Sequence, residues 1–105
     1  MPMLEKKLEQ RLVGYVEAMG GQCLKWTSPG TTGLPDRIVL LPGGVIAFVE
    51  MKRPTGSRVS ALQYYWRKVL TRLGFRHYFV HTQQQLEDVL TELKEVADCA
   101  HFFTL

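Results

Sequence analysis

Asp36, Glu50 and Lys52 are the residues whose types and spacing point most directly to chemistry. Asp36 opens one run rich in Val and Ile, Asp36 to Leu41, and Glu50 lies near the end of a second, Val45 to Lys52. Pro42-Gly43-Gly44 joins them tightly, so the two runs read as a hairpin. Pairing through that turn brings the two carboxylates into one neighbourhood. Period-two alternation places Ile46, Phe48, Glu50 and Lys52 on one face of the second strand and Val45, Ala47, Val49 and Met51 on the other. Two charges therefore continue an apolar row. A carboxylate in such a row loses hydration, and chains keep such groups where they bind a cation, pair with a base or titrate. Cation binding suits Glu50. A hard divalent ion such as Mg²⁺ takes oxygen ligands and keeps several waters, which leaves room for a phosphate oxygen and an attacking water beside two carboxylates. Lys52 shares the face of Glu50, where its ammonium can hold and help deprotonate that water or neutralise charge on a pentavalent phosphate.

The elements that must position these groups are legible from periodicity. Leu8, Leu12, Tyr15, Val16 and Met19 fall at helical spacing within Leu4 to Met19, and Gly20-Gly21 stops that helix. A short extended segment, Gln22 to Thr27, leads into the adaptable loop Ser28-Pro29-Gly30-Thr31-Thr32-Gly33. After the hairpin, Pro54 to Gly56 breaks the strand. Ser60 with Gln63 has the form of a capping box before a helix that runs to Leu73, where Trp66 is expected in the core with Leu62, Val69 and Leu73. Arg76 to His81 reads as a strand, and Thr82 with Gln85 caps a third helix carrying Leu86, Val89, Leu90, Leu93 and Val96. The tail from Cys99 to Leu105 is apolar and unassigned. The order α-β-β-β-α-β-α implies an α/β fold with a mixed central sheet flanked by helices.

Composition narrows the class. A chain of 105 residues with 46% hydrophobic and 22% charged residues suits one globular domain spanning 1–105. No apolar run reaches the length of a membrane span and Met1 to Gln10 contains no apolar signal core, so a cytoplasmic protein without a membrane partner is expected. Cys23 and Cys99 stand alone, without the spacing of a zinc knuckle or a disulfide framework. Charge is segregated: Met51 to Gln85 contains no acid, while Lys52, Arg53, Arg58, Arg67, Lys68, Arg72 and Arg76 make it formally +7 within a chain of +3. A positive surface of this kind meets phosphate backbones or forms a solvated helix face.

Pro35-Asp36 followed by Glu50-Met51-Lys52 resembles the PD-(D/E)xK nuclease signature, and the match is more specific than that. Gly33-Leu34-Pro35-Asp36-Arg37, Pro42-Gly43-Gly44, Phe48-Val49-Glu50-Met51-Lys52 and a Gln on the next helix, Gln63, follow in order the pattern of the VRR-NUC nucleases. The resemblance covers roughly Leu4 to Leu90. It implies a restriction-endonuclease-like core and a Mg²⁺- or Mn²⁺-dependent endodeoxyribonuclease with no organic cofactor. Asp36 and Glu50 would be metal ligands, the Met51 backbone carbonyl a third, and Lys52 the catalytic lysine. The acid this family takes from its first helix would be Glu9, with Glu5 one turn earlier as competitor. Gln63 would orient water or phosphate, unless the capping box is its whole role.

The small stand-alone members, from phages and bacteria, imply a location in a bacterial or phage-infected cell and action on Holliday junctions. Two symmetric incisions by a domain with one active site imply a C2 homodimer, with Ala100 to Leu105 or a helix face as its interface. Cleavage of flaps, nicks or plain duplex with a partner protein, or silent nucleic-acid binding, are the alternatives. Lys25, Arg37, Arg53 and Arg58 flank the proposed centre and are candidate phosphate contacts. His77 and His81 fall in a strand, where a structural or surface role is expected. Tyr64 is open to either packing or base stacking.

Overall fold

The computed structural model describes residues 5–53 and 58–104, the last four of these by their backbone alone. The elements are α1 (Glu5–Ala18), β1 (Gln22–Lys25), β2 (Arg37–Leu41), β3 (Val45–Met51), α2 (Ala61–Arg72), β4 (Arg76–Val80) and α3 (Gln83–Thr104), in the expected order. The strand break at Pro54 to Gly56 lies outside the described residues, as does Leu4 at the start of the first helix.

The hairpin sets the geometry of the whole sheet. Leu41 pairs with Val45, which leaves Pro42-Gly43-Gly44 as the turn, and Gly43 and Gly44 take φ of 87° and 76°, where a side chain would strain the backbone. Counting back from that turn puts Arg37 opposite Val49 and brings Asp36 beside Glu50. β1 pairs antiparallel with β2, and Trp26 N–H extends the ladder to the Asp36 carbonyl at 2.9 Å. β4 joins β3 in parallel, which requires a crossover, and α2 provides it. The sheet order is β1-β2-β3-β4.

One face of this mixed sheet carries Cys23, Val39, Leu41, Ala47, Val49, Met51 and Val80 and is covered by two helices. Leu8, Leu12 and Val16 of α1 and Leu86, Val89, Leu93 and Ala97 of α3 meet it in one buried cluster. Full burial of a Leu or Val stabilises by about 1.5–3 kcal/mol, so this layer carries the fold. The other face is covered only in part by α2, which packs on β4. Phe48 is buried there between Trp26 at 5.2 Å and Phe75 at 5.4 Å, while Leu24, Leu40 and Ile46 stay 46%, 37% and 38% exposed.

Two expectations are corrected. Trp66 is not core: Leu70 is the buried residue of α2, and Trp66 lies at the helix flank with Nε1 donating to the Thr32 carbonyl at 3.2 Å. Helical spacing identified a stripe, but the sheet accepts only part of it, and Leu62 and Leu73 are exposed as well. The unassigned tail continues α3 as far as Thr104, because no Gly or Pro interrupts it. Among the described residues no helix is long and apolar enough to cross a membrane.

Candidate active site

Asp36, Glu50 and Lys52 meet at the end of the partly open sheet face, where β2 begins and β3 ends. The two carboxylates are cross-braced by backbone amides: Asp36 N–H donates to Glu50 Oε2 at 3.1 Å, and Met51 N–H donates to Asp36 Oδ1 at 3.2 Å. Lys52 N–H donates to the Val80 carbonyl at 2.8 Å, which fixes the lysine backbone against β4. Its Nζ lies 3.9 Å from Glu50 Oε1 and donates to the Arg58 carbonyl at 3.1 Å.

Gln63 forms the capping box and also stands beside the candidate site, bonded to one of its carboxylates. Its Oε1 accepts from Ser60 N–H at 2.9 Å while its own N–H donates to Ser60 Oγ at 3.1 Å, a complete capping box. Its Nε2 donates to Glu50 Oε1 at 2.9 Å. An amide has one acceptor end and one donor end, and here the cap and the carboxylate use one each, so the helix start is locked to the site.

Electrostatics mark the pair as strained for charge. Burial pushes the Asp36 carboxyl up to about 6, against the lowering bond from Met51 N–H, and Glu9 and Glu5 add to the rise. Burial also lifts Glu50, to about 7, with the Asp36 charge next and Lys52 opposing. Two desolvated carboxylates that repel each other fit a hard divalent cation, whose charge would relieve both. Asp36 Oδ2 has no hydrogen-bond partner among the described residues, which leaves an oxygen for it.

The first-helix acids stand further back. Glu9 is bound to Arg37, Oε1 to Nη2, at 3.3 Å, while Glu5 contributes to the field at both Asp36 and Glu50. Among the described residues no group of three acids, histidines or cysteines closes on one point, so the structure does not bring Glu9 into direct company with the pair. Arg37 is turned inward, 13% exposed at its side chain, with Nη1 donating to the Cys23 carbonyl at 3.3 Å. Lys25, Arg53 and Arg58 are exposed. His77 is buried edge-on against Phe79 at 4.8 Å, its imidazole lowered by burial to about 4, while at the start of α3 Thr82 Oγ1 accepts from Gln85 N–H at 3.1 Å and the His81 backbone N–H donates to Gln85 Oε1.

The glycine-rich loop is clasped to α2 at two points, the Trp66 bond to Thr32 and a close approach at Gly33. Gly33 takes φ 93°, and a Cβ there would stand 2.7 Å from Leu62 Cβ and 2.9 Å from the Leu62 backbone carbon. Gly33→Ala is expected to destabilise the fold by about 1–3 kcal/mol. It should also lower cleavage further than the folded fraction accounts for, because the clash displaces the start of α2 and with it Gln63. Thermal melting and cleavage assayed on the same sample check this.

A mixed sheet between helices, with Asp36 and a Glu50-x-Lys52 row at one end of its hairpin, defines a core of the PD-(D/E)xK nuclease class. Its fold matches a solved VRR_NUC domain with a TM-score of 0.77 at 28% identity, over 83% of this chain and 94% of the other. In sequence, 86 residues are 40% identical to "Putative nuclease p44" of Acyrthosiphon pisum secondary endosymbiont phage 1, spanning 82% of this chain and 90% of that protein. No family model matches the sequence. The chain belongs to the VRR-NUC nucleases.

Proposed function

We propose that this chain is a divalent-metal-dependent endodeoxyribonuclease that acts as a homodimer on four-way DNA junctions. The observation that carries the reading is the convergence of Asp36, Glu50 and Lys52 on one sheet face, with Gln63 bonded to the same carboxylate. Mg²⁺ or Mn²⁺ held by Asp36 and Glu50, with the Met51 carbonyl as a further ligand, would polarise the scissile phosphate and lower the pKa of the attacking water. Lys52 holds that water and offsets charge on the phosphate. Gln63 fixes the orientation of Glu50. Glu9, held by Arg37, and Glu5 add negative field from behind and act through water. Lys25, Arg53 and Arg58 contact phosphates without reading bases.

The side chains from His101 to Leu105 of the tail interface expected from sequence lie outside the described residues, and what supports a dimer is the sheet face that α2 leaves open. Leu24, Leu40 and Ile46 form an apolar patch on it, and a two-fold pairing of such patches would bury them.

A labelled mobile junction, tested beside linear duplex and flap substrates with Mg²⁺, Mn²⁺ or EDTA, decides the matter. Paired symmetric nicks on the junction with either metal, and a dimer in sedimentation that Ile46→Lys dissociates, are the expected results. Metal-dependent cutting of flaps or duplex alone would keep the chemistry and discard the junction. No cutting of any substrate would overturn the nuclease reading of this site.

A further inference from the structure

Tyr64 lies one residue beyond Gln63 on α2 and is 52% exposed. Its ring is nonetheless fixed, packed edge-on against Phe79 with centroids 5.5 Å apart and planes at 71°. Phe79 pairs in register with Glu50 on the neighbouring strand, so this aromatic surface stands directly beside the carboxylate pair. Arg67 holds its guanidinium 5.4 Å from the centre of the same Phe79 ring, and exposed Lys68 follows one residue later. Residues 64, 67 and 68 are spaced three and four apart and share one stripe of the helix. No acid interrupts the chain from Met51 to Gln85, and among the described residues neither cation is held in an ion pair. An anchored, half-open aromatic ring flanked by two cations fits neither a core position nor a merely solvated helix face.

We propose that Tyr64, with Arg67 and Lys68, forms a stacking subsite for an unpaired DNA base adjacent to the scissile phosphate. This rests on the nuclease reading of Asp36, Glu50 and Lys52 and adds the class of strand that the site prefers. In continuous duplex each base is covered by its neighbours and offers Tyr64 no face. At a branch point or a frayed end stacking is interrupted, and a free base can lie on the ring while the flanking phosphates meet Arg67 and Lys68. Every base has a π-face, so the subsite selects for unpaired structure and not for sequence. A second copy of the chain is the poorer occupant, because a two-fold pairing of this stripe would set like charges against each other.

The test is binding in EDTA, which separates recognition from cleavage, of a single-stranded oligonucleotide carrying 2-aminopurine and of a matched blunt duplex. Wild type should quench the 2-aminopurine fluorescence. Tyr64→Leu should abolish the quench and weaken single-strand binding about tenfold, with duplex affinity changed less than twofold. Tyr64→Phe, which keeps the ring, should restore both readouts. Tyr65→Leu, an equally exposed tyrosine about 100° around the helix, should leave them near wild type. Equal losses for single strand and duplex, a matching loss in Tyr65→Leu, or a change of oligomeric state in Tyr64→Leu would each overturn the subsite. Failure of the nuclease reading shows separately, as no metal-dependent cleavage of any DNA by wild type.

Discussion

Lys52→Ala is expected to lower metal-dependent cleavage by about 10²–10⁴-fold, the range for losing a positioned proton-transfer group, while binding to the same junction stays within a few-fold. The side chain is 12% exposed and lies 3.9 Å from Glu50 Oε1, so its ammonium is already held beside the atoms that would receive substrate. Substrate affinity would come instead from many exposed cations, so that removing one charge among them is expected to change binding little. Lys52→Arg should recover little activity, because a guanidinium keeps the charge but cannot exchange a proton with the attacking water at neutral pH. Single-turnover cleavage beside a binding titration separates the two quantities. Parallel loss of binding and cleavage would sink the assigned role.

Asp36→Asn is expected to abolish cleavage and, in EDTA at pH 8, to make the protein more stable. The asparagine can keep its Oδ1 on Met51 N–H and lose only the charge, since the other oxygen is unpartnered among the described residues. The charge it removes is an unfavourable one. With the Asp36 carboxyl raised to about 6 and Glu50 to about 7, the native state binds protons that the unfolded chain has already released, from about pH 4 upward. Wild-type stability therefore falls as pH rises through that window, and the deficit is fully present above pH 7. His77 works in the opposite direction: lowered to about 4, it reduces stability as pH falls below about 6.5. Two carboxylates outweigh one imidazole, so the metal-free protein should melt higher at pH 5.5 than at pH 8. Relief of the Asp36 charge is on the order of 2 kcal/mol, several degrees for a chain of this size. Mg²⁺ or Mn²⁺ should stabilise wild type at pH 8 and leave Asp36→Asn almost unmoved. An Asp36→Asn protein that melts lower than wild type at pH 8 would show that the carboxylate is a net structural asset.

The sequence by itself determined the parts that depend on chain-local physics. Helical periodicity placed the three helices and alternation the second strand of the hairpin, because the apolar face of a helix or strand must repeat with its own backbone period. The Pro42-Gly43-Gly44 turn set the register that brings Asp36 beside Glu50, since a tight turn leaves its flanking strands one pairing. The parity of β3 then put Lys52 on the face of Glu50. Tertiary structure decided whatever depends on which surface finds a partner. Trp66 has the spacing of a core residue, yet the sheet has room only for Leu70, and the indole clasps a loop that lies 34 residues earlier in the chain. Arg37 looked like a phosphate contact in sequence and is turned inward, because Glu9 and the Cys23 carbonyl come from elements distant in the chain. Gln63 was legible as a cap from its spacing to Ser60, and only the approach of Glu50 to the start of α2 shows that the same amide also bonds a site carboxylate. Alternation and capping are written in neighbouring residues. Partner choice is written in the packing of distant ones, and that is where this site acquires its shape.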